Sequence, residues 1–547
     1  ALTSLSLSNS AANSLITIGN NTATTLALTL NKLGAGSQVF IDGGTAGKYN
    51  TLNITTTGSD SSANITGTGV TALTLSGSNA LDLTGSNLAA LKTVTVSGSA
   101  GLTLNASGAT VTDVNASGTS GNVTVTIDAT KATYEGGTGV DKVTTSAAAP
   151  SKAISLGDGN DTLTLANGTN AVTGAISGGN GTDTLSMVAA DAVTASLTNT
   201  FATKVTLFEV LDLTAGAGAQ SVDLTTLGGF NTVTTGGEAN GGVLTLSNLA
   251  SGGTLTLTSA NVGTGQYAVS NTAFTAGTAD SLNIGVSNTA AIAAGTVTAN
   301  GVEALTITST DTDSTANGAN NTLTVVGNSV ATITVKGNAA IDLTSANTTV
   351  TTVNASGLTA GFTFTTAGTK AETVTGSATG ANVLTAAAGT VADTLIGGSG
   401  ADTLTANAGL DTLTGGAGKD KFVIGSVTAN VNTYATITDA AAGDSIQLIS
   451  KNAEVFTASK LVLGDTAVFQ DYANAVVNAG GDSSTNGHIG WFQFNGNTYV
   501  VESLHNATVG NLPNFQNGTD LVVKLTGLVD LSTASINADA APTLLLG

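Results

Sequence analysis

Short runs such as LNIT (52–55), ALTL (72–75), TVTV (93–96) and VTVTI (123–127) alternate aliphatic and polar residues one by one. Alternation at period two puts the aliphatic side chains on one face of a strand. Glycines punctuate these runs at Gly58, Gly77, Gly98, Gly118, Gly137, Gly157 and Gly179, in steps of 19, 21, 20, 19, 20 and 22 residues. Short strands and glycine corners at a period near 20 predict a parallel β-solenoid, a stack of coils around a thin aliphatic core. The amino-terminal region should hold about seven coils or more.

The chain also repeats at a larger scale. TVTVSGSAGLTLNASGATVTDVNASG (93–118) aligns without gaps to TITVKGNAAIDLTSANTTVTTVNASG (332–357), an offset of 239 residues. Continuing past this stretch, Asn382 is expected opposite Asp141, and Asp393 and Asp402 opposite Asp161 and Asp183. The expected organisation is all-β: a solenoid over 1–190, an irregular β connecting domain over 191–300, a second solenoid over 301–425, and a small mixed cap over 426–547. In the last segment Val468, Phe469, Tyr472, Ala475 and Val476 make one apolar stripe at helical spacing. The runs HIGWFQF, NTYVVES and DLVVKLTGL follow as strands. Aromatic residues gathered here, with the single Trp491, suit a lid over the open end of a solenoid, where core and strand edges would otherwise be exposed.

The corners carry the chemistry. Residues 397–423 read GGSGADTLT, ANAGLDTLT, GGAGKDKFV, three nine-residue units in register, preceded by the imperfect AGTVADTLI (388–396). This is the G-G-x-G-x-D-x-U-x repeat of calcium-binding parallel β-rolls. Six residues make a tight turn, and the last three a strand whose U position (Leu395, Leu404, Leu413, Phe422) points to the core. Two units close one coil, so Asp393 should lie above Asp411, and Asp402 above Asp420. Calcium takes six to eight oxygens at about 2.3–2.6 Å. Stacked turns offer backbone carbonyls and one carboxylate each. The candidate ligating turns are Asp393; Gly397, Gly398, Ser399, Gly400 and Asp402; Asn407, Ala408, Gly409 and Asp411; and Gly415, Gly416, Ala417, Gly418 and Asp420. Asp444, in the turn of TITDAAAGDSIQL (436–448), is a further candidate.

A second set lies upstream. GGTGVDKVT (136–144) and GGNGTDTLS (178–186) fit the repeat, and LGDGNDTLT (156–164) fits except at Leu156. The candidates are Gly136, Thr138, Gly139 and Asp141; Leu156, Asp158, Gly159, Asn160 and Asp161; and Gly178, Asn180, Gly181 and Asp183. Their acids are 20 and 22 residues apart, a full coil, so these turns should stack on one side only. Departures are expected to weaken binding: Leu156 and Ala406 at glycine positions, and Asn382 in place of an acid. Asp311 and Asp313, in TDTDST, are a weaker calcium candidate.

Composition agrees with this reading. The 547 residues exceed one compact core. Charged residues are 9% and aromatics 4%, too few for a conventional core of large side chains but enough for a solenoid. The net charge is −21, with 28 Asp, 7 Glu, 14 Lys and no Arg. Asp suits tight turns and short-reach ligation. The charge argues against nucleic-acid partners, which need a basic face. There is no Cys, so disulfides and thiolate metal sites are excluded and calcium can serve as the staple. No run approaches the roughly 18 apolar residues of a membrane-spanning helix. The chain opens ALTSLSLSNS, already in strand-like alternation, and is expected to begin inside a longer protein.

These pieces together resemble the calcium-dependent, RTX-bearing surface-layer (S-layer) proteins of Gram-negative bacteria, of the RsaA type. The resemblance rests on the units at 136–186 and 388–423, and on GVEALTITSTDTDST (301–315), ATITDAAAGDSIQL (435–448), WFQFNGNTYVV (491–501) and DLVVKLTGLVDLST (520–533). It implies export by a type I secretion machinery that reads a carboxyl-terminal signal. It implies many bound calcium ions, and self-assembly into a two-dimensional, hexagonal lattice on the cell surface, with a hexameric repeat. It also implies anchoring to lipopolysaccharide through a domain that this chain does not contain. A secreted adhesin or biofilm matrix protein on the same scaffold is the alternative. An RTX exoenzyme is disfavoured: H-E-x-x-H is missing, and neither His488 nor His505 lies near a nucleophile-elbow or carboxylate-pair motif.

Overall fold

A computed structural model describes residues 2–19, 22–42, 48–214, 218–274, 279–313, 320–428, 430–449, 454–480, 487–505, 514–537 and 542–547. It is all-β, with 46% strand and 4% helix. The chain divides into two compact units, Ala1–Ala250 and Ser251–Gly547. Each is a parallel β-solenoid. Among the described residues no helix is long and apolar enough to cross a membrane.

In the first unit, successive half-coils alternate between two parallel sheets. One runs from Ser4–Ser10 through Thr51–Thr56, Thr93–Gly98 and Ile154–Asp158 to Val205–Thr206. The other includes Leu102–Ala106, Val123–Ile127, Lys142–Thr145, Thr162–Thr164, Thr184–Val188 and Val210–Thr214. Pairing sets like residues in columns. Leu52 lies beside Leu73, then Val94, Val114, Tyr134, Ile154 and Ile176. Each is at most 1% exposed. The alternation of the sequence therefore becomes one aliphatic layer per sheet, as expected for a half-buried strand. At the corners the coils touch backbone to backbone. Gly77 has φ +119°, and a Cβ there would collide with Thr56 O. Glycine allows both the angle and the approach.

Past residue 190 the coils of the first unit continue. Two short helices, Ala189–Ala195 and Leu224–Leu227, are inserted between them. Val210–Thr214, in the FEVLDLT motif, pairs in parallel with Thr184–Val188 as the next turn of the stack.

The second unit has the same construction. Leu282, Leu305, Ile333, Val353, Val374, Leu395, Leu413 and Ile437 form a continuous column. Leu323, Leu343, Phe364, Leu384, Leu404 and Phe422 form the facing one. The four U positions are fully buried.

The two related stretches agree strand for strand. Asp113–Thr119 and Thr352–Leu358 even share an irregularity in register at the same place, next to Asn115 and Asn354 respectively. Followed strand by strand, however, the alignment of acids shifts. Asp161 precedes Thr162–Thr164, whose counterpart is Thr403–Ala406, so it corresponds to Asp402. Asp183 corresponds in the same way to Asp420. Asp393 lies on the opposite edge. The 239-residue offset carried on from 161 and 183 reaches 400 and 422, beside Asp402 and Asp420, so the two stretches stay in step through these coils and the expected partners Asp393 and Asp402 are replaced.

The carboxyl-terminal segment closes both sheets. Leu521–Leu525 pairs in parallel with Ala435–Ile437, and Thr543–Leu545 pairs antiparallel with Ser445–Gln447. His488–Phe494, Asn497–Ser503 and Leu521–Leu525 form an antiparallel meander. Against it packs the helix Phe469–Ala479. Its buried side is Ala473, Val476 and Val477, with Phe469 and Tyr472 at the margin. Two members of the expected stripe differ. Val468 is 57% exposed and Ala475 only half-buried. Val468 is the N-cap, and its backbone N–H donates to Asp471 Oδ2 at 2.9 Å, which holds it outside the helix. Trp491 is buried and donates Nε1–H to Ala458 O at 2.9 Å.

Candidate metal centre

The acids at the corners form ladders along the solenoid. In the first unit, Val123 N–H donates to Asp141 Oδ1 (3.0 Å), Asp141 N–H to Asp161 Oδ1 (2.7 Å), and Asp161 N–H to Asp183 Oδ1 (2.8 Å). Asp183 N–H then donates to Glu209 Oε2 (2.7 Å). All three turns stand on one edge, between the same two sheets. In the second unit, Asn382 N–H donates to Asp402 Oδ1 (2.7 Å), Asp402 N–H to Asp420 Oδ1 (2.9 Å) and Asp420 N–H to Asp444 Oδ1 (2.9 Å). The opposite edge carries Glu372 N–H to Asp393 Oδ1 (2.9 Å) and Asp393 N–H to Asp411 Oδ1 (2.9 Å). Asp393 thus neighbours Asp411, and Asp402 neighbours Asp420. The acids Asp141, Asp161, Asp183, Asp393, Asp402, Asp411 and Asp420 are all at most 2% exposed.

Each ladder consumes one oxygen per carboxylate. The other oxygen divides the acids. Asp161 Oδ2, Asp183 Oδ2, Asp402 Oδ2 and Glu372 Oε2 are buried with no hydrogen-bond partner. Asp141 Oδ2 accepts from Tyr134 Oη at 2.8 Å, Asp393 Oδ2 from Thr366 Oγ1 at 2.7 Å, Asp411 Oδ2 from Asn407 N at 3.2 Å, and Asp444 Oδ2 from Ala441 N at 2.8 Å. A buried, unpaired carboxylate oxygen is costly unless a cation meets it.

The first glycine of the turn shows where the second oxygen aims. A Cβ on Gly397 would collide with both Asp402 Oδ2 and Gly415 O. One on Gly136 would stand against Leu156 O and 2.5 Å from Asp141 Oδ2. One on Gly415 would meet Asp420 Oδ2. So the carboxylate of one turn and a carbonyl of the next face the same small space, which only glycine leaves open. Leu156 contributes its carbonyl, and its side chain is buried. Among the described residues no three His, Cys, Asp or Glu side chains converge. The donor set is one carboxylate per turn plus carbonyls, all hard oxygens, and it fits calcium.

The remaining candidates sit in the same turns. Stacked glycines pack on the preceding carbonyl: Gly159 on Gly139 O, Gly181 on Gly159 O, Gly416 on Gly398 O, and Gly418 on Gly400 O. Thr138, Ser399 and Ala417 donate N–H to Thr119, Ala378 and Gly398 carbonyls at 3.1, 3.0 and 2.9 Å. Asn407, Ala408 and Gly409 form the turn before Asp411, and Asn407 Nδ2 donates to Ala386 O. Asp158 and Asn180 bond each other on the outer surface at 2.8 Å, and Asn160 Oδ1 takes Thr182 N–H at 2.9 Å. Gly178 stands against Asp183, where an added Cβ would meet Leu207 O and Asp183 Oδ2. The Asp311–Asp313 turn adjoins residues 314–319, which lie outside the described residues; Asp313 N–H donates to Asp311 Oδ1 at 3.0 Å.

Burial dominates the electrostatics. It raises Asp161 to about 7, with Asp141, Asp183 and Asp158 adding to the rise against the Asp141 N–H bond. Burial raises Asp411 to about 6 and Glu372 to about 7. It pushes Asp141, Asp183, Asp402 and Asp420 upward as well. These are acids waiting for either a proton or a metal ion.

Sequence reasoning missed Glu209 and Glu372. Each continues a ladder one coil beyond the recognisable units, and each immediately precedes a strand or its first residue. That position, rather than the glycine signature, is the signal that would have found them.

Residues 387–422 match the family model described as the RTX calcium-binding nonapeptide repeat, in four copies. No curated protein matches the chain. The turns at 136–186 lie outside the matched residues but repeat their geometry. The chain is thus a β-solenoid that carries RTX calcium-binding nonapeptide repeats.

Proposed function

We propose that the chain is the lattice-forming part of a calcium-dependent bacterial surface layer. RTX repeat proteins are typically secreted and extracellular. The observation that carries the reading is the ladder of buried carboxylates with unpaired second oxygens, set into a scaffold of little else than stacked coils. Calcium would neutralise those turns and lock successive coils together. Gly397, Asp402 and the Gly415 carbonyl would hold one such ion. Coils locked in this way suit a subunit that must present fixed faces to its neighbours. The carboxyl-terminal motifs 435–448, 491–501 and 520–533 favour the surface-layer group within RTX proteins. On this reading a type I machinery exports the protein. The subunits then assemble into a hexagonal sheet anchored to lipopolysaccharide.

Electron microscopy of the purified protein with calcium and with chelator tests the proposal. Ordered sheets that disperse on chelation are the expected result. Calcium-loaded monomers that capture a matrix or host ligand would overturn it in favour of a secreted adhesin or biofilm protein.

A further inference from the structure

We infer that the first acidic ladder ends in a further calcium site, closed by the short turn Leu207–Glu209 rather than by another nonapeptide. The inference rests on the reading that the acidic turns hold calcium. GGNGTD (178–183) is the last repeat of the first unit. The next coil passes over it through Val205–Thr206, paired with Ile176–Ser177, and leaves through Val210–Thr214. Between them stand only three residues, where a nonapeptide has six.

Leu207 adopts φ +59°, a left-handed backbone that non-glycine residues rarely accept. Its side chain is 59% exposed, so packing does not explain the conformation. Its carbonyl does. A Cβ on Gly178 would stand against Leu207 O and 2.7 Å from Asp183 Oδ2. Asp183 is wholly buried, and that Oδ2 has no hydrogen-bond partner. This is the arrangement of Gly136 with Leu156 O and Asp141, and of Gly397 with Gly415 O and Asp402. The two oxygens can share one ion with bonds of about 2.3–2.6 Å. Backbone strain of this kind persists where a site needs it.

Glu209 completes the site without being a ligand in this geometry. Its Oε2 takes Asp183 N–H at 2.7 Å, the role filled by the next Asp at the other levels. It is a positioning residue. It fixes the Asp183 turn and adds negative charge beside it. Because the carbonyl comes from a leucine and the positioning group is a glutamate, the closing turn leaves no nonapeptide signature.

The test counts calcium ions bound to the full chain, stripped with EGTA and reloaded, by native mass spectrometry with titration calorimetry. Asp183→Asn should bind one ion fewer than the parent. Glu209→Ala, outside every repeat, should weaken one ion by about 10–100-fold, as loss of an outer positioning group does. Asp402→Asn serves as the reference and should lose an ion in the second unit. Parent-like binding in both Asp183→Asn and Glu209→Ala, with an ion lost in Asp402→Asn, would overturn this site alone. No calcium bound by the parent would overturn the wider reading instead. Should Asp183→Asn fail to fold in chelator, the exposed Glu209 decides the question.

Discussion

Asp402 donates its backbone N–H to Oδ1 of Asp420, one coil further on, at 2.9 Å. The acid of each turn is therefore oriented by its neighbour, and its own Oδ2 is turned to the space that Gly397 and Gly415 leave open. Calcium bound at one turn thus acts on the geometry of the next. Four experiments follow from this coupling.

Replacing Asp402 and Asp420 together by Ala removes two buried acceptors. Each loss should cost about 1–3 kcal/mol in the chelated protein. The larger effect is on the metal: the rise in melting temperature that calcium gives the 388–423 roll should disappear. Circular dichroism melts with and without calcium measure this. A double variant that keeps the parent's full calcium response would show that these acids are not ligands.

Gly397→Ala puts a Cβ against Asp402 Oδ2 and Gly415 O. The first is the carboxylate and the second is rigid backbone, so the space for an ion is lost before the fold is. The variant should melt a few degrees below the parent in chelator and gain little from calcium. Gly464→Ala, where a Cβ meets nothing within 4 Å, is the control and should behave as the parent.

Stability without calcium should depend on pH in a defined sense. Asp161 and Glu372 are raised to about 7 and Asp411 to about 6, from ordinary values of 3.8 and 4.5. The folded chain holds these protons more tightly than the unfolded chain. The stabilisation is present below pH about 4 and is lost as pH rises to about 7. Calcium replaces the protons and should flatten the profile, releasing protons as it binds. Melts in chelator from pH 4.5 to 7.5 test the sign. A chelated protein that grows more stable across that range would contradict the burial argument.

Leu413 lies in the column between Leu395 and Ile437 and is fully buried. Leu413→Ala should cost about 2–5 kcal/mol, the range for a buried Leu truncated to Ala. Because each coil touches only its neighbours, the loss should appear as local exchange of amides over 394–437 before the rest of the chain opens. Hydrogen exchange with mass spectrometry resolves this. Uniform loss of protection along the chain would argue for a single cooperative core instead.

Much of this was legible in the residues. Alternation in TVTV and VTVTI gave the strands, because the pleat has a period of two. The nine-residue spacing of Asp393, Asp402, Asp411 and Asp420 gave the stacking of alternate acids, since two strands and two turns close one coil. The three full-coil acids Asp141, Asp161 and Asp183 gave a single-edged ladder for the same reason. What was less legible concerned partners rather than periods. Asp393 was expected opposite Asp161, whereas strand order sets Asp402 there, because successive nine-residue units look alike and only the order of strands tells one edge of the coil from the other. The helix stripe placed Val468 inside, whereas the Asp471 cap holds it out.

Local sequence thus determined the strands, the corners and the metal they suit, because those follow from backbone sterics, periodicity and ligand hardness within a few residues. Tertiary structure alone decided which carboxylate oxygens remain unpaired. Asp161, Asp183 and Asp402 look like Asp141, Asp393 and Asp411 in sequence, yet Tyr134, Thr366 and Asn407 satisfy the second oxygen of the latter three. The enrolment of Glu209 and of the Leu207 carbonyl was likewise a matter of what the next coil lays over the turn. A side chain carries its chemistry in its name, but a backbone carbonyl becomes a ligand only through the conformation that aims it.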